Sequence, residues 1–158
     1  MNVVSGYAKG VDTASHIAAL EAGGTTTLVL ATGLAGWCKK NDIAAVWDWN
    51  RVLVVSEFEL NDPWTPARAF QRNGTICRLS QAVIVAEAAR ISGTMNTVRQ
   101  CLKRGIPLFA VEYDNMEDFA QGNAEAIRLG ARRLLKSRLS RRARLTELLE
   151  VIGKEKTA

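Results

Sequence analysis

Short apolar runs recur along this chain with longer amphipathic stretches between them, and that alternation narrows the fold more than any other feature. Residues 2–5, 26–31, 52–56, 82–86 and 108–111 form runs of four to six residues, most of them rich in Val, Leu and Ile. They predict buried strands, because strands covered on both faces read as continuous apolar runs. Residues 12–22, 41–47, 67–79, 94–104 and 123–129 predict the helices between them. Strand, helix, strand in this order specifies parallel pairing, since a parallel crossover needs a connection about a dozen residues long. The expected class is α/β, a mostly parallel sheet with helices on both faces. A basic amphipathic helix over residues 139–152 is expected to complete it, with Leu145, Leu148, Leu149 and Ile152 on one side.

Boundary residues support these elements. Asp12 is placed to cap the first long helix and Gly23-Gly24 to close it, while Ser92-Gly93 opens a later helix that Gly105 ends. In Asn61-Asp62-Pro63-Trp64-Thr65-Pro66 two prolines and a capping threonine predict a loop that leads into a helix. A chain of 158 residues, 47% hydrophobic and 23% charged, suits one globular domain. The expected division is a domain over residues 1–136 followed by a helix and tail over 137–158. No run of 18 apolar residues and no signal-type start occurs, so a soluble, cytoplasmic protein is expected. Cys38, Cys77 and Cys101 show no metal-ligand spacing and predict reduced thiols; with His16 the single histidine, no metal site is expected.

The net charge of +5 is unevenly spread. Residues 128–144 hold eight cations (Arg128, Arg132, Arg133, Lys136, Arg138, Arg141, Arg142 and Arg144) and no acid, so the rest of the chain is net negative. Such a segment is either an electrostatic footprint for a phosphate backbone or a solvated helical face.

Three turns of small residues follow predicted strands or begin helices, and in a parallel sheet such turns gather at the carboxyl edge, where ligands bind. Ser5-Gly6 with Lys9 resembles a phosphate cradle, although it matches neither a P-loop nor GxGxxG, and glycines at such turns often serve chain geometry alone. Ser92-Gly93-Thr94, with Thr97 a turn later, offers helix-terminal N–H groups and hydroxyls to an anion; the plainer reading is an N-cap by Ser92. Arg68, Phe70, Arg72 and Asn73 combine cations with an aromatic ring, as a single strand of nucleic acid requires, though Phe70 reads first as a core residue. Glu57 and Glu87 at strand ends read as local pairing groups.

The ordered set of these motifs resembles the DNA processing protein A (DprA/Smf) family. Val4-Ser5-Gly6-Tyr7-Ala8-Lys9-Gly10-Val11-Asp12, followed by Ala14, His16, Ala19-Leu20 and Gly23-Gly24, is similar to the family's VSG-A-GID-AAH-AL-GG stretch. Gly33-Leu34, Asn41, Ser56-Glu57, Arg72-Asn73, Leu79-Ser80, Glu87-Ala88, Ser92-Gly93-Thr94, Thr97, Phe109-Ala110-Val111, Gly122, Ile127 and Gly130-Ala131 follow in order, so the likeness runs from about residue 3 to 135. The resemblance implies a Rossmann-like fold and a homodimer without catalytic activity or cofactor. It also implies binding of single-stranded DNA in natural transformation and recombination, with a RecA-type recombinase as a further partner. Carried over residue by residue, it places DNA contacts at Ser5, Gly6, Lys9, Arg72, Asn73, Ser92, Gly93, Thr94 and Thr97, and gives His16 no chemistry. The sequence departs from the pattern in four places. A strand and helix with a Gly-Ser-Arg turn is expected ahead of Val4 and is not among these residues, so a groove or a substitute strand is expected in its place. Gly74 replaces a basic residue, Val111-Glu112 replaces a strand followed by proline, and Gly36-Trp37-Cys38-Lys39-Lys40 with Trp47-Asp48-Trp49 replaces a Tyr-Pro-type loop.

Two other readings compete. An enzyme of the LOG type, which cleaves nucleoside monophosphates on a similar fold, needs a glutamate where this chain has Thr97, which argues against hydrolysis. A nucleotide-binding or nucleotide-sensing domain needs no such acid and remains the alternative. A pure interaction module docking through residues 139–152 is the third.

Overall fold

The computed structural model describes residues 1–114, 116, 120–135 and 143–154. It separates into two compact units, Met1–Leu79 and Ser80–Ala158. That division falls inside residues 1–136, at a point the sequence does not mark. The expected boundary at 136/137 lies outside the described residues.

In the first unit the order is β1 (Asn2–Ser5), α1 (Val11–Glu21), β2 (Thr25–Val29), a 3-10 turn (Leu34–Gly36), α2 (Asn41–Ala44), β3 (Val52–Val55) and α3 (Pro66–Arg78). The strands pair in the order β1-β2-β3, all parallel. Central β2 has its last four residues buried, as a strand covered on both faces should. Leu28 and Leu30 pack with Tyr7, Leu20, Ile43 and Val52, and Trp37 and Trp47 lean against the same cluster. Helix α3 starts as its sequence specifies: Thr65 Oγ1 accepts from the Arg68 amide and Pro66 occupies the first turn, where its missing N–H costs nothing.

The second unit runs β4 (Val83–Val85), α4 (Gly93–Arg104), β5 (Leu108–Val111), α5 (Gln121–Arg128), β6 (Arg132–Leu134) and α6 (Thr146–Lys154). Its sheet has the order β4-β5-β6, again parallel. Gly105 ends α4 in the left-handed conformation (φ 65°), which glycine adopts without a Cβ clash.

The α/β class with parallel sheets and connecting helices holds, and five of the six strands sit where their apolar runs predict. Three local expectations need correction. β6 carries Arg132 and Arg133 and was hidden inside the basic segment; it is an edge strand, where charge is tolerated and blunts further pairing. The C-terminal helix runs from Thr146, and residues 139–142 of the expected helix lie outside the described residues; Arg144 N donates to the Leu135 carbonyl at 2.8 Å, which holds the chain non-helical just before Thr146. Its stripe is divided, with Leu148 and Ile152 packing on Phe109 and Leu134 while Leu145 and Leu149 stay exposed. Finally, Asp12 does not cap α1; the N-cap is Gly10, and the Asp12 carboxylate serves the preceding loop. Cys77 and Cys101 are buried and Cys38 is exposed. Among the described residues no helix is long and apolar enough to cross a membrane.

His16 is a core residue of α1, fully buried. Its Nδ1 lies 2.6 Å from Thr26 Oγ1, and that hydroxyl donates its one proton to the Val3 carbonyl at 2.8 Å. The imidazole must therefore carry its own proton on Nδ1, which leaves Nε2 a buried acceptor without a hydrogen-bond partner among the described residues. Burial lowers the His16 pKa from 6.5 to about 4; Asp12 opposes this and Lys40 adds to it. As pH falls below 6.5 the unfolded chain takes up a proton that the folded chain refuses, so stability is full above pH 6.5 and declines toward pH 4. Between pH 7.5 and 5 this one group should lower the unfolding free energy by about 2 kcal/mol. Urea unfolding at the two pH values measures it, and His16→Leu should remove that part of the acid sensitivity; an equal decline in the variant would place its source elsewhere.

Candidate nucleic-acid interface

The first turn begins where β1 ends. Parallel strands end with unsatisfied carbonyls at their carboxyl edge, and here the Gly6 carbonyl just beyond β1 and the Val29 carbonyl at the end of β2 need donors. Arg72 of α3 supplies them. Its Nη1 donates to Gly6 O at 2.5 Å and to Val29 O at 2.7 Å, and its Nε donates to Asn73 Oδ1 at 3.2 Å. The side chain is buried, at 8% exposure, so this guanidinium faces the strand ends instead of solvent. Burial pulls its pKa down from the ordinary arginine value, and the Asp12 carboxylate opposes that shift.

Gly6 is required by this contact, because a Cβ there would collide with the Arg72 guanidinium. The amides of Gly6 and Ala8 both donate to Asp12 Oδ2 at 3.1 Å, so the loop wraps a carboxylate of its own chain. Between them Tyr7 takes a left-handed backbone conformation (φ 56°), unusual for a residue with a Cβ and worth of order 1 kcal/mol of strain. Several contacts hold it there. The Tyr7 hydroxyl accepts from the Lys40 amide at 2.7 Å, its carbonyl accepts from Lys40 Nζ at 2.7 Å, and the same ammonium lies 4.2 Å from the centroid of its ring. Ser5 pairs with Leu28 at the last position of β1, and Lys9 projects, exposed, just before α1. Ser5, Gly6, Arg72 and Asn73 thus gather at one sheet edge, with Lys9 as the exposed cation of the group.

Ser92, Gly93, Thr94 and Thr97 lie in the second unit. Ser92 is the N-cap of α4: its Oγ accepts from the Met95 amide at 3.3 Å and donates to the Ala89 carbonyl at 2.9 Å, which satisfies the hydroxyl within the turn. Gly93 is exposed at the first helical position and Thr97 Oγ1 lies 3.4 Å from the Gly93 carbonyl. Glu57 accepts from Gln71 and Thr75 of α3, the local pairing expected of it. Phe70 is 48% exposed and so is no core residue. Arg68 is occupied by Asp62 and by the Pro63 carbonyl. In the basic segment Arg128, Arg132 and Arg133 pair with Glu125, Glu147 and Glu112, while Lys136, Arg138, Arg141 and Arg142 lie outside the described residues.

Two positioning residues escaped the sequence reading. Asn123 of α5 is fully buried, and its Nδ2 donates to the carbonyls of Ala86 and Val111 at 2.9 Å, tying together the ends of β4 and β5. Its neighbour Gly122 donates to the Ala88 carbonyl at 2.8 Å, and a Cβ there would strike Ala88 and Ala89. A polar residue on the apolar side of a short helix was the available signal. Lys40 is the other; within a run of charged residues nothing distinguishes it from Lys39.

Arg72 fastens the first turn, so Arg72→Ala should leave two strand-end carbonyls without a donor and cost about 2–4 kcal/mol in chemical denaturation. Gly6→Ala should cost a comparable amount by displacing the guanidinium, and the double variant should cost much less than the two effects added.

The sequence profile of the family described as DNA recombination-mediator protein A matches residues 1–141. The chain is 36% identical to the DNA processing protein DprA of Streptococcus pneumoniae over 131 residues, 82% of this chain and 46% of that protein. It is 35% identical to protein Smf of Escherichia coli, over 70% of this chain and 30% of that one. The DprA of Bacillus subtilis is 32% identical over 82% of this chain and 44% of its own. The chain therefore spans less than half the length of these curated relatives. Among solved structures, the X-ray structure of the S. pneumoniae DprA superposes with a TM-score of 0.74 at 33% identity, covering 85% of this chain and 48% of that one. A Helicobacter pylori DNA processing protein A, reported for its single-stranded DNA binding mode, superposes at 0.73 with 22% identity, over 96% of this chain and 66% of that one, and so speaks to the fold. With a profile match over most of its length and relatives above 30% identity, the chain belongs to the DNA recombination-mediator protein A family, that of DprA and Smf.

Proposed function

We propose that this chain binds single-stranded DNA in DNA uptake and recombination and does so without catalysis. Family membership supports the ligand class. The observation that carries the reading is the construction of the turn after β1: its anchoring arginine and its loop amides are satisfied internally, while Lys9 stands exposed at the carboxyl edge of the strands. An exposed lysine ammonium at this edge suits a phosphate whatever the base attached to it. Exposed Arg90, ahead of α4, and exposed Arg99, midway along it, offer the same chemistry in the second unit. In this reading Arg72, Asn73 and Gly6 shape the turn, and Lys9 touches the strand. Ser92, Gly93, Thr94 and Thr97 form the corresponding helix start of the second unit. Self-association as a homodimer and delivery of the strand to a RecA-type recombinase belong to the same proposal.

Binding of an oligo-dT should be tighter than that of a duplex of equal length and should weaken steeply with salt. Lys9→Ala should weaken it and lower the slope of log affinity against log salt by about 0.7–1, the share of a single lysine–phosphate pair. Equal affinity for single strand and duplex at low salt would rule this function out.

A further inference from the structure

Strand β3 ends the sheet of the first unit, and among the described residues no strand pairs with its outer edge. Two hydrogen bonds fix which backbone groups face that edge. The Thr26 amide donates to the Arg51 carbonyl and the Leu30 amide to the Val55 carbonyl, both at 2.9 Å, so Arg51, Leu53 and Val55 turn their polar groups toward β2. Alternate residues of a parallel ladder point to opposite sides, which directs the N–H and C=O of Val54 outward. Val52-Leu53-Val54-Val55 has no proline and no charge to discourage a further strand, whereas edge strand β6 carries two arginines.

The side chains add a second observation. Val52 and Val54 turn to the core, but Leu53 is 57% exposed in the middle of the strand. The charges that flank the strand have opposite signs, with Arg51 before it and exposed Glu57 beyond it. A strand with a cation at one end and an acid at the other is complementary to its own copy turned antiparallel. The sheet's other edge, β1, has no such pair, since positions 1–7 hold no charged side chain.

We propose that β3 is a self-association surface that takes a second copy of this chain, paired antiparallel about a two-fold axis at Val54. The two Val54 residues exchange N–H to C=O hydrogen bonds, and two three-stranded sheets join into one. In this register Leu53 of each copy faces Val55 of the other in a non-hydrogen-bonded pair, where side chains approach most closely, and Arg51 of each falls opposite Glu57. The two-fold axis uses the same patch on both copies and closes the assembly at two. Two four-residue strands make an interface below the roughly 1,200 Å² at which stable complexes begin, so the dimer is weak and concentration-dependent. The surface rests on the self-association proposed above and gives it a place; single-strand binding does not depend on it.

Sedimentation velocity of the full chain, from micromolar to submillimolar concentration, tests this. A reversible monomer–dimer equilibrium is expected, and Leu53→Lys should raise its dissociation constant at least about tenfold by setting a charge in the paired edge. Arg51→Glu alone sets a glutamate against Glu57 of the second copy, and Glu57→Arg alone sets an arginine against Arg51, so each should be more monomeric than the parent. Mixed in equal amounts, the two should form a heterodimer with both charge pairs restored, an outcome that misfolding cannot imitate. Melting temperatures near the parent value show that each variant is folded. A dimer that persists unchanged in Leu53→Lys, or charge variants that associate no better together than apart, overturns this surface. A chain that stays monomeric throughout overturns the surface and self-association together, while oligo-dT affinity measured on the same samples decides the single-strand reading separately.

Discussion

One buried guanidinium holds the carboxyl edge of the first unit's sheet. Arg72 reaches back 66 residues to the Gly6 carbonyl and 43 to the Val29 carbonyl, closing the ends of two parallel strands that would otherwise leave polar groups in a dry site. Hydrogen bonds from a charged group are among the stronger ones available, and these determine their surroundings. Gly6 has no Cβ because the guanidinium occupies that space. Asp12 balances the charge while receiving the loop amides, and Tyr7 holds its left-handed conformation between these contacts and Lys40.

This arrangement changes what the glycine-containing turn can do. A phosphate cradle works through free backbone N–H groups, and here the Gly6 and Ala8 amides already have a carboxylate. The turn is prepared by the protein's own anion, and its outward chemistry comes from side chains set around it, Lys9 above all. Trp49, which precedes β3, exposes its ring while resting against Trp37 and Trp47. The second unit solves its edge differently. Neutral Asn123 takes the bridging role between β4 and β5, while Gly122 lets α5 approach the segment leading to Ser92.

Much of this was legible in the sequence. Apolar runs located five strands; burial on both faces accounts for the runs of β2 and β5, while β3 and β4 leave Leu53 and Ile84 exposed. Thr65, Pro66, Ser92 and Gly105 fixed helix ends because capping is local chemistry, settled within four residues of chain. The motifs that carry the family likeness lie in the turns after the strands for the same reason: turn geometry restricts residue type position by position. Edge strand β6 stayed hidden because Arg132 and Arg133 give it no apolar run.

The sequence by itself determined the order of elements, their parallel pairing and the residues available at the sheet edges. Only the tertiary structure decided which way those residues point. Arg72 stands in a helix among other polar residues and is the buried tie between β1 and β2; His16 has no role legible in the sequence and is a neutral core group whose proton lies on Nδ1. Both outcomes depend on partners 10 to 66 residues away, and a side chain's charge, burial and proton are set by whichever groups the fold brings to it, which sequence spacing does not encode.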